Sequence, residues 1–311
     1  MHHTVKPRSP RRPPGTALLL RAVPSLEPTT QCLMKRTLAL VATAALLSAG
    51  LSLAVGRAAA AASSAASSLP SLTLAMNGKS ITVGGTLQSG AVNVVSTVTQ
   101  ETQGRPALVR LNPGVSFAQA EAAVQAHGGD FNYLDPYGSL VFSTVANRGV
   151  TSAQTSLQAG NYVAADLSGH AHPPNALFTV TQAAGPATLP APQATMQTIE
   201  FGFRGPRQLH DGELVRFQND GFLVHMIAAI GAKNADTAAK LTAMLKAGKD
   251  HRAQRLATAF LVFDAGLSPG EMQQQVITAK PGIYVLACFM NTQDGREYTQ
   301  LGMERTIRIT K

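Results

Sequence analysis

The chain has 311 residues, 45% of them hydrophobic but only 5% aromatic, with 26 Lys and Arg against 17 Asp and Glu for a formal charge of +9 at neutral pH. Eight of the basic residues and one acidic residue lie at or before Arg57, so the rest of the chain carries only +2. That balance, with no Lys/Arg stripe interleaved with aromatics, excludes a nucleic-acid surface of the usual kind.

Residues 1–62 read as an upstream extension followed by a secretory signal peptide at about 34–62. Lys35 and Arg36 precede an apolar run from Leu38 to Val55 and small residues from Ala58 to Ala62. Translation starts at Met1 or at Met34, and the expected product is secreted or periplasmic, with no membrane association once the signal is cleaved. An uncleaved anchor is the competing reading of the apolar run. Of the two cysteines, Cys32 falls in this leader, which leaves Cys288 without an intramolecular partner. An unpaired cysteine in an oxidising compartment is buried and inert, paired with another molecule, or a ligand.

Residues 63–71 form an Ala/Ser tail. The remainder divides at 183–195, a Pro/Ala linker, into units of 72–182 and 196–311, and these read as one pattern written twice. In the first, Gly90-Ala-Val-Asn-Val-Val leads to an extended Ala107-Leu-Val-Arg-Leu, a helix over 117–126 opened by Ser116, and Leu157 to Asp166. In the second, Gly212-Glu-Leu-Val-Arg-Phe leads to His225-Met-Ile-Ala-Ala-Ile, a helix over about 236–246, and Pro281 to Cys288. On this reading Ala107 stands where His225 stands, Asp166 where Cys288 does, and Tyr162 where Tyr284 does. Short β-branched runs punctuated by Gly, Pro, Asn and Asp place strands in the second unit at 196–203, 213–218, 225–230, 272–278, 283–288 and 306–310.

Enzyme signatures do not survive inspection, and no enzymatic activity is expected. Gly266-Leu-Ser268-Pro-Gly270 has the spacing of a nucleophile elbow, but Pro269 lacks the backbone N–H that an oxyanion hole needs at that position. A proline-initiated turn accounts for it. Phosphate-loop, dinucleotide and HExxH motifs do not occur.

Three stretches of the second unit carry a resemblance. Phe217 to Met226, Pro281 to Cys288, and Leu301-Gly-Met303 followed by Thr306-Ile-Arg-Ile are similar to the histidine strand, the cysteine strand and the axial methionine of the blue-copper, or cupredoxin-like, domains of bacterial secreted proteins. The resemblance implies an all-β fold of two tandem cupredoxin-like Greek-key β-sandwiches, each with a short helical insertion. It also implies copper as cofactor at His225, Cys288 and Met303, a soft nitrogen and sulfur set, and a redox or other extracytoplasmic protein as partner. One ligand departs from the pattern, since Tyr298 occupies the place of the second histidine. The function implied is mononuclear copper electron transfer or copper carriage through an incomplete site. The alternative is a metal-free tandem interaction or structural module. Each residue also has a plain reading as core: a hydrogen-bonded histidine, and a thiol and thioether filling space. In the first unit the equivalent ligands are gone, and Asp166 with His170 and His172 forms a weaker candidate for a hard ion such as zinc.

Overall fold

The computed structural model describes residues 69–168 and 173–311, so the expected signal peptide, most of the Ala/Ser tail, His170 and His172 lie outside the described residues. The first half runs β1 (Ser71–Met76), β2 (Ile81–Gly85), β3 (Gly90–Gly104), β4 (Pro106–Leu111), α1 (Phe117–Ala126), a 3-10 turn (Phe131–Leu134), β5 (Gly138–Ser143), β6 (Ala146–Leu157), β7 (Gly160–Asp166) and β8 (Asn175–Val180). The second runs β9 (Ala194–Ile199), β10 (Gly202–Arg204), β11 (Gln208–His210), β12 (Leu214–Asn219), β13 (His225–Ala232), α2 (Ala235–Lys246), α3 (Asp250–Gln254), β14 (Ala259–Leu267), β15 (Met272–Val276), β16 (Gly282–Ala287), a 3-10 turn (Tyr298–Leu301) and β17 (Glu304–Thr310). The fold is all-β, two tandem Greek-key sandwiches with a helical insertion after the same strand of each.

The strand order exposes the duplication. One sheet reads β5-β4-β7-β8 and another β14-β13-β16-β17 with β11 added at its edge, so the two are the same sheet written twice. Their partners are fused into one eight-stranded sheet, β10-β9-β12-β15-β6-β3-β1-β2, whose order is palindromic about the antiparallel β15·β6 pair. Each half also contains a parallel pair in the same place, β1 with β3 and β9 with β12. Tyr162 and Tyr284 fall on equivalent strands, and each phenol donates to the carbonyl four residues earlier, Gln158 at 2.9 Å and Lys280 at 2.8 Å.

Register corrects one expected equivalence. Ala107 pairs with Ala165 on β7, whereas the residue that pairs with Ala287 on β16 is Ala228. With Tyr162 matched to Tyr284, Ala107 therefore stands where Ala228 does, three residues beyond His225. A β-ladder fixes register by backbone pairing, and matching two apolar runs by eye cannot resolve a shift along a strand.

Each helix covers the outer face of the strand before it. Ala120 of α1 packs in one cluster with Ala107, Val109 and Leu111 of β4, and Ala238, Leu241 and Leu245 of α2 pack with Ile230 and Ala232 of β13. This explains why β13 is buried along its whole length, and a strand covered on both faces reads as a continuous apolar run. Burying a Leu of this kind stabilises by about 1.5–3 kcal/mol. Ser116 and Gln119 form a capping box at the start of α1, and Asn234 accepts from Thr237 N at the start of α2.

Residues 183–193 form no strand or helix but are strapped down. Ala183 N donates to Ser89 Oγ at 3.0 Å, Ala91 N to Ala187 O at 2.8 Å and Gln274 Nε2 to Pro190 O at 3.1 Å. Among the described residues no helix is long and apolar enough to cross a membrane.

Candidate metal centre

His225 opens β13, where the pairing with β14 shifts register twice between His225 and Ala228. Bulges of this kind re-aim a side chain. Asp264 on β14 braces this one, its Oδ1 accepting from Ile227 N at 3.2 Å. Cys288 follows the last residue of β16, and Met226 N donates to its sulfur at 3.3 Å. Two neighbouring strand ends thus bring His225 Nδ1 to 4.0 Å from Cys288 Sγ, with both residues buried.

The loop after Cys288 returns to the same end. Tyr298 N donates to Met290 O at 2.9 Å and Met303 N to Tyr298 O at 3.0 Å, which folds both side chains into the cluster that holds Cys288. The Tyr298 ring lies edge-on to His225, centroids 5.1 Å apart. All four residues singled out in the second unit are thus buried, three of them in mutual proximity and Met303 in the same cluster.

Burial sets the charge states. It pushes the Cys288 thiol up to about 12, with the carboxyls of Asp264 and Glu297 adding to the effect, and it holds His225 down at about 4 against the opposing pull of Glu200. It also raises the Tyr298 phenol. At neutral pH the pocket therefore holds a thiol, an uncharged imidazole and an uncharged phenol. The outer nitrogen of His225, Nε2, has no hydrogen-bond partner and lies 3.8 Å from Glu200 Oε1, beyond hydrogen-bond reach but facing it.

Several residues here escape sequence reasoning. Asn132, on the 3-10 turn of the first sandwich, donates from Nδ2 to Tyr298 Oη at 3.1 Å and Asn291 O at 3.0 Å, and its Oδ1 accepts from Val224 N at 2.8 Å. Glu200 accepts from Phe222 N. Phe201, the one described non-glycine residue with positive φ (55°), places its ring edge-on to Tyr298 at 5.5 Å. That backbone region is costly for a bulky residue and clusters at functional sites. A Cβ on Gly221 would come within 2.8 Å of His225 Nε2, so glycine is needed beside the imidazole. Signals existed only in hindsight, as polar or aromatic residues in turns far along the chain from the ligands.

In the first unit Asp166 is a turn acceptor, its Oδ1 taking Arg105 N at 2.8 Å and Ser168 N at 3.1 Å. Its proposed companions, His170 and His172, lie outside the described residues. Ser268 uses its Oγ to accept Leu140 N at 2.8 Å and its N–H to reach Leu140 O at 2.9 Å, which joins the two sandwiches.

Whether copper fits can be tested on the donors present. First-row metals sit about 2.0–2.1 Å from an imidazole nitrogen and about 2.3 Å from a thiolate, so two such ligands on one ion are roughly 3.5–4 Å apart, the separation of His225 and Cys288. Glu200 faces the far nitrogen but, at 3.8 Å, does not make the hydrogen bond that a ligating histidine usually gives a carboxylate. The neutral phenol in place of a second imidazole does not suit cupric ion, whereas imidazole, thiolate and thioether suit the cuprous one. Among the described residues no group of three or more His, Cys, Asp and Glu converges. The site thus rests on sulfur as much as on nitrogen.

No family model matches the chain, and no curated protein does. Among solved structures it is similar to dithionite-reduced auracyanin from Roseiflexus castenholzii (17% identity, 38% of this chain and 95% of that one, TM-score 0.25). It is also similar to a Cu-containing nitrite reductase from Thermus scotoductus SA-01 (12% identity, 78% and 67%, TM-score 0.23). A third is a copper nitrite reductase from Nitrosomonas europaea (9% identity, 78% and 94%, TM-score 0.22). At these scores the likenesses carry no weight beside the strand order itself.

Proposed function

We propose that the second sandwich is a cupredoxin-like carrier of one copper ion in the cuprous state, held by His225, Cys288 and Met303, and that the protein works outside the cytoplasm. The observation that carries this reading is the 4.0 Å approach of His225 Nδ1 to Cys288 Sγ in a buried pocket. Bound copper would supply a soft, one-electron redox centre. The chain's own part is to keep His225 neutral with a nitrogen turned to the sulfur, to present a thiol that gives up its proton on binding, and to exclude water by burial. Carriage fits the donors better than rapid electron transfer, because Tyr298 lacks the second imidazole that a cupric state needs. The delivery partner is an extracytoplasmic protein, and the chain performs no catalysis of its own.

The alternative, a metal-free tandem module, is favoured by one observation: the Asn132 amide already satisfies the Tyr298 phenol across the two sandwiches. X-ray absorption on the cuprous-loaded full chain separates the two. The carrier reading expects a first shell of one nitrogen and two sulfur scatterers. A shell of oxygen and nitrogen alone would leave the module reading.

A further inference from the structure

The candidate pocket is not closed by its own sandwich. Val224, just before His225, packs with Leu134, Leu140 and Val163 of the first sandwich, and Met290, two residues after Cys288, lies against that cluster as well as against the second sandwich's own core. At the centre of this contact one side chain, Asn132, makes three hydrogen bonds to three separate parts of the pocket. These are the backbone just before His225, the loop three residues after Cys288, and the phenol of Tyr298. Both Nδ2 protons are used and Oδ1 is occupied, which leaves that amide little freedom to rotate. Its own backbone is pinned as well, because Asp130 Oδ1 accepts Asn132 N at 2.9 Å as the cap of the 3-10 turn.

These partners lie 92, 159 and 166 residues away in sequence. Nothing else among the described side chains ties the strand before His225, the loop after Cys288 and Tyr298 together by hydrogen bonds from a single group. Losing the amide would leave a buried phenol and two backbone groups short of partners, and local opening would become easier.

We propose that Asn132 is a positioning residue contributed by the first sandwich, which closes the His225–Cys288 pocket and sets access to the thiol. The first sandwich, which lacks the equivalents of His225 and Cys288, is then a working part of the site. The closure stands on geometry alone; its consequence for a metal rests on the copper reading above.

The test is the rate at which Cys288 of the metal-free full chain reacts with a small aromatic disulfide reagent under native conditions. Asn132→Ala should raise that rate about tenfold or more over the parent chain. Ser268→Ala removes a different buried bond between the sandwiches, to Leu140 N, and controls for general loosening. It should leave the rate near the parent's once both variants are matched for global stability by urea titration. Tyr298→Phe, which deletes one of the three partners, should give an intermediate rate. Equal rates in Asn132→Ala and the parent would overturn the proposal, as would an equal rise in Ser268→Ala. Cuprous binding measured on the same samples separates the two ideas. A rate increase without copper binding sinks the carrier reading and leaves the closure standing; copper binding with no rate increase does the reverse.

Discussion

At Tyr298 a buried phenol lies edge-on to His225, where on the proposed copper reading an imidazole would complete a cupric ligand set. Two effects keep it from substituting: burial raises its pKa further from neutrality, and its oxygen is already bonded to Asn132. Replacing it by His supplies a neutral nitrogen donor of the right class. Tyr298→His is expected to strengthen cupric binding and produce an intense visible thiolate-to-copper band, and Cys288→Ser in that background should abolish the band. A colourless Tyr298→His protein after cupric loading would show that the ligand ends do not converge as described. Asp264, also buried, gives a separate titration. Desolvation raises its carboxyl from 3.8 to about 8 in the folded chain. The unfolded chain ionises first, so this group's contribution is fully present below about pH 4 and is lost progressively as pH rises to about 8. Asp264→Asn keeps an acceptor for Ile227 N and removes the titration. The variant's melting temperature should gain on the parent's between pH 4 and pH 8, and a constant difference across that range would contradict the assignment.

The elements show how much of the arrangement was legible and why the rest was not. Helix α1 could be placed to the residue because Ser116 opens it, and the structure shows that serine in a capping box with Gln119, a local device that needs no tertiary context. The repeat was legible in the matched runs Leu157 to Asp166 and Pro281 to Cys288, whose tyrosines make the same hydrogen bond to the carbonyl four residues back. The expected strand 196–203 is broken after Ile199 into β9 and β10, β11 has three residues, too few to show a period of two, and the end of β14 fell in the Gly266 to Gly270 run that read as a turn. His225 and Cys288 were visible as motif, whereas Asn132 and Glu200 were not, since polar residues in distant turns come to the pocket only when the chain folds them onto it. The tyrosine bond is itself measurable. Tyr284→Phe should cost about 1 kcal/mol in urea unfolding, the worth of one neutral hydrogen bond, and Tyr162→Phe more, because its hydroxyl also accepts from Gln158 N. A loss in only one of them would mean that the equivalent positions are not energetically equivalent.

At the scale of the molecule, the palindromic eight-stranded sheet gives the two sandwiches a shared seam in addition to the segment that links them. Gln273 bridges Ser143 N and Phe263 O, and Gln274 bridges Gln154 and Pro190 while accepting from Arg216. Both glutamines are buried, so separating the halves would strand several polar groups in addition to opening two sheet edges. Residues 69–311 are therefore expected to unfold in one calorimetric transition with calorimetric and van't Hoff enthalpies in agreement. Two resolved transitions would show that the seam does not couple the halves.

The account depends most on a soft metal held through sulfur in the second sandwich. Native mass spectrometry of the cuprous-loaded chain, after exchange into metal-free buffer, measures that directly beside a Cys288→Ser control. One copper per chain that disappears in Cys288→Ser is the expected result. A chain that retains no copper, or a Cys288→Ser variant that retains as much as the parent, would contradict the claim.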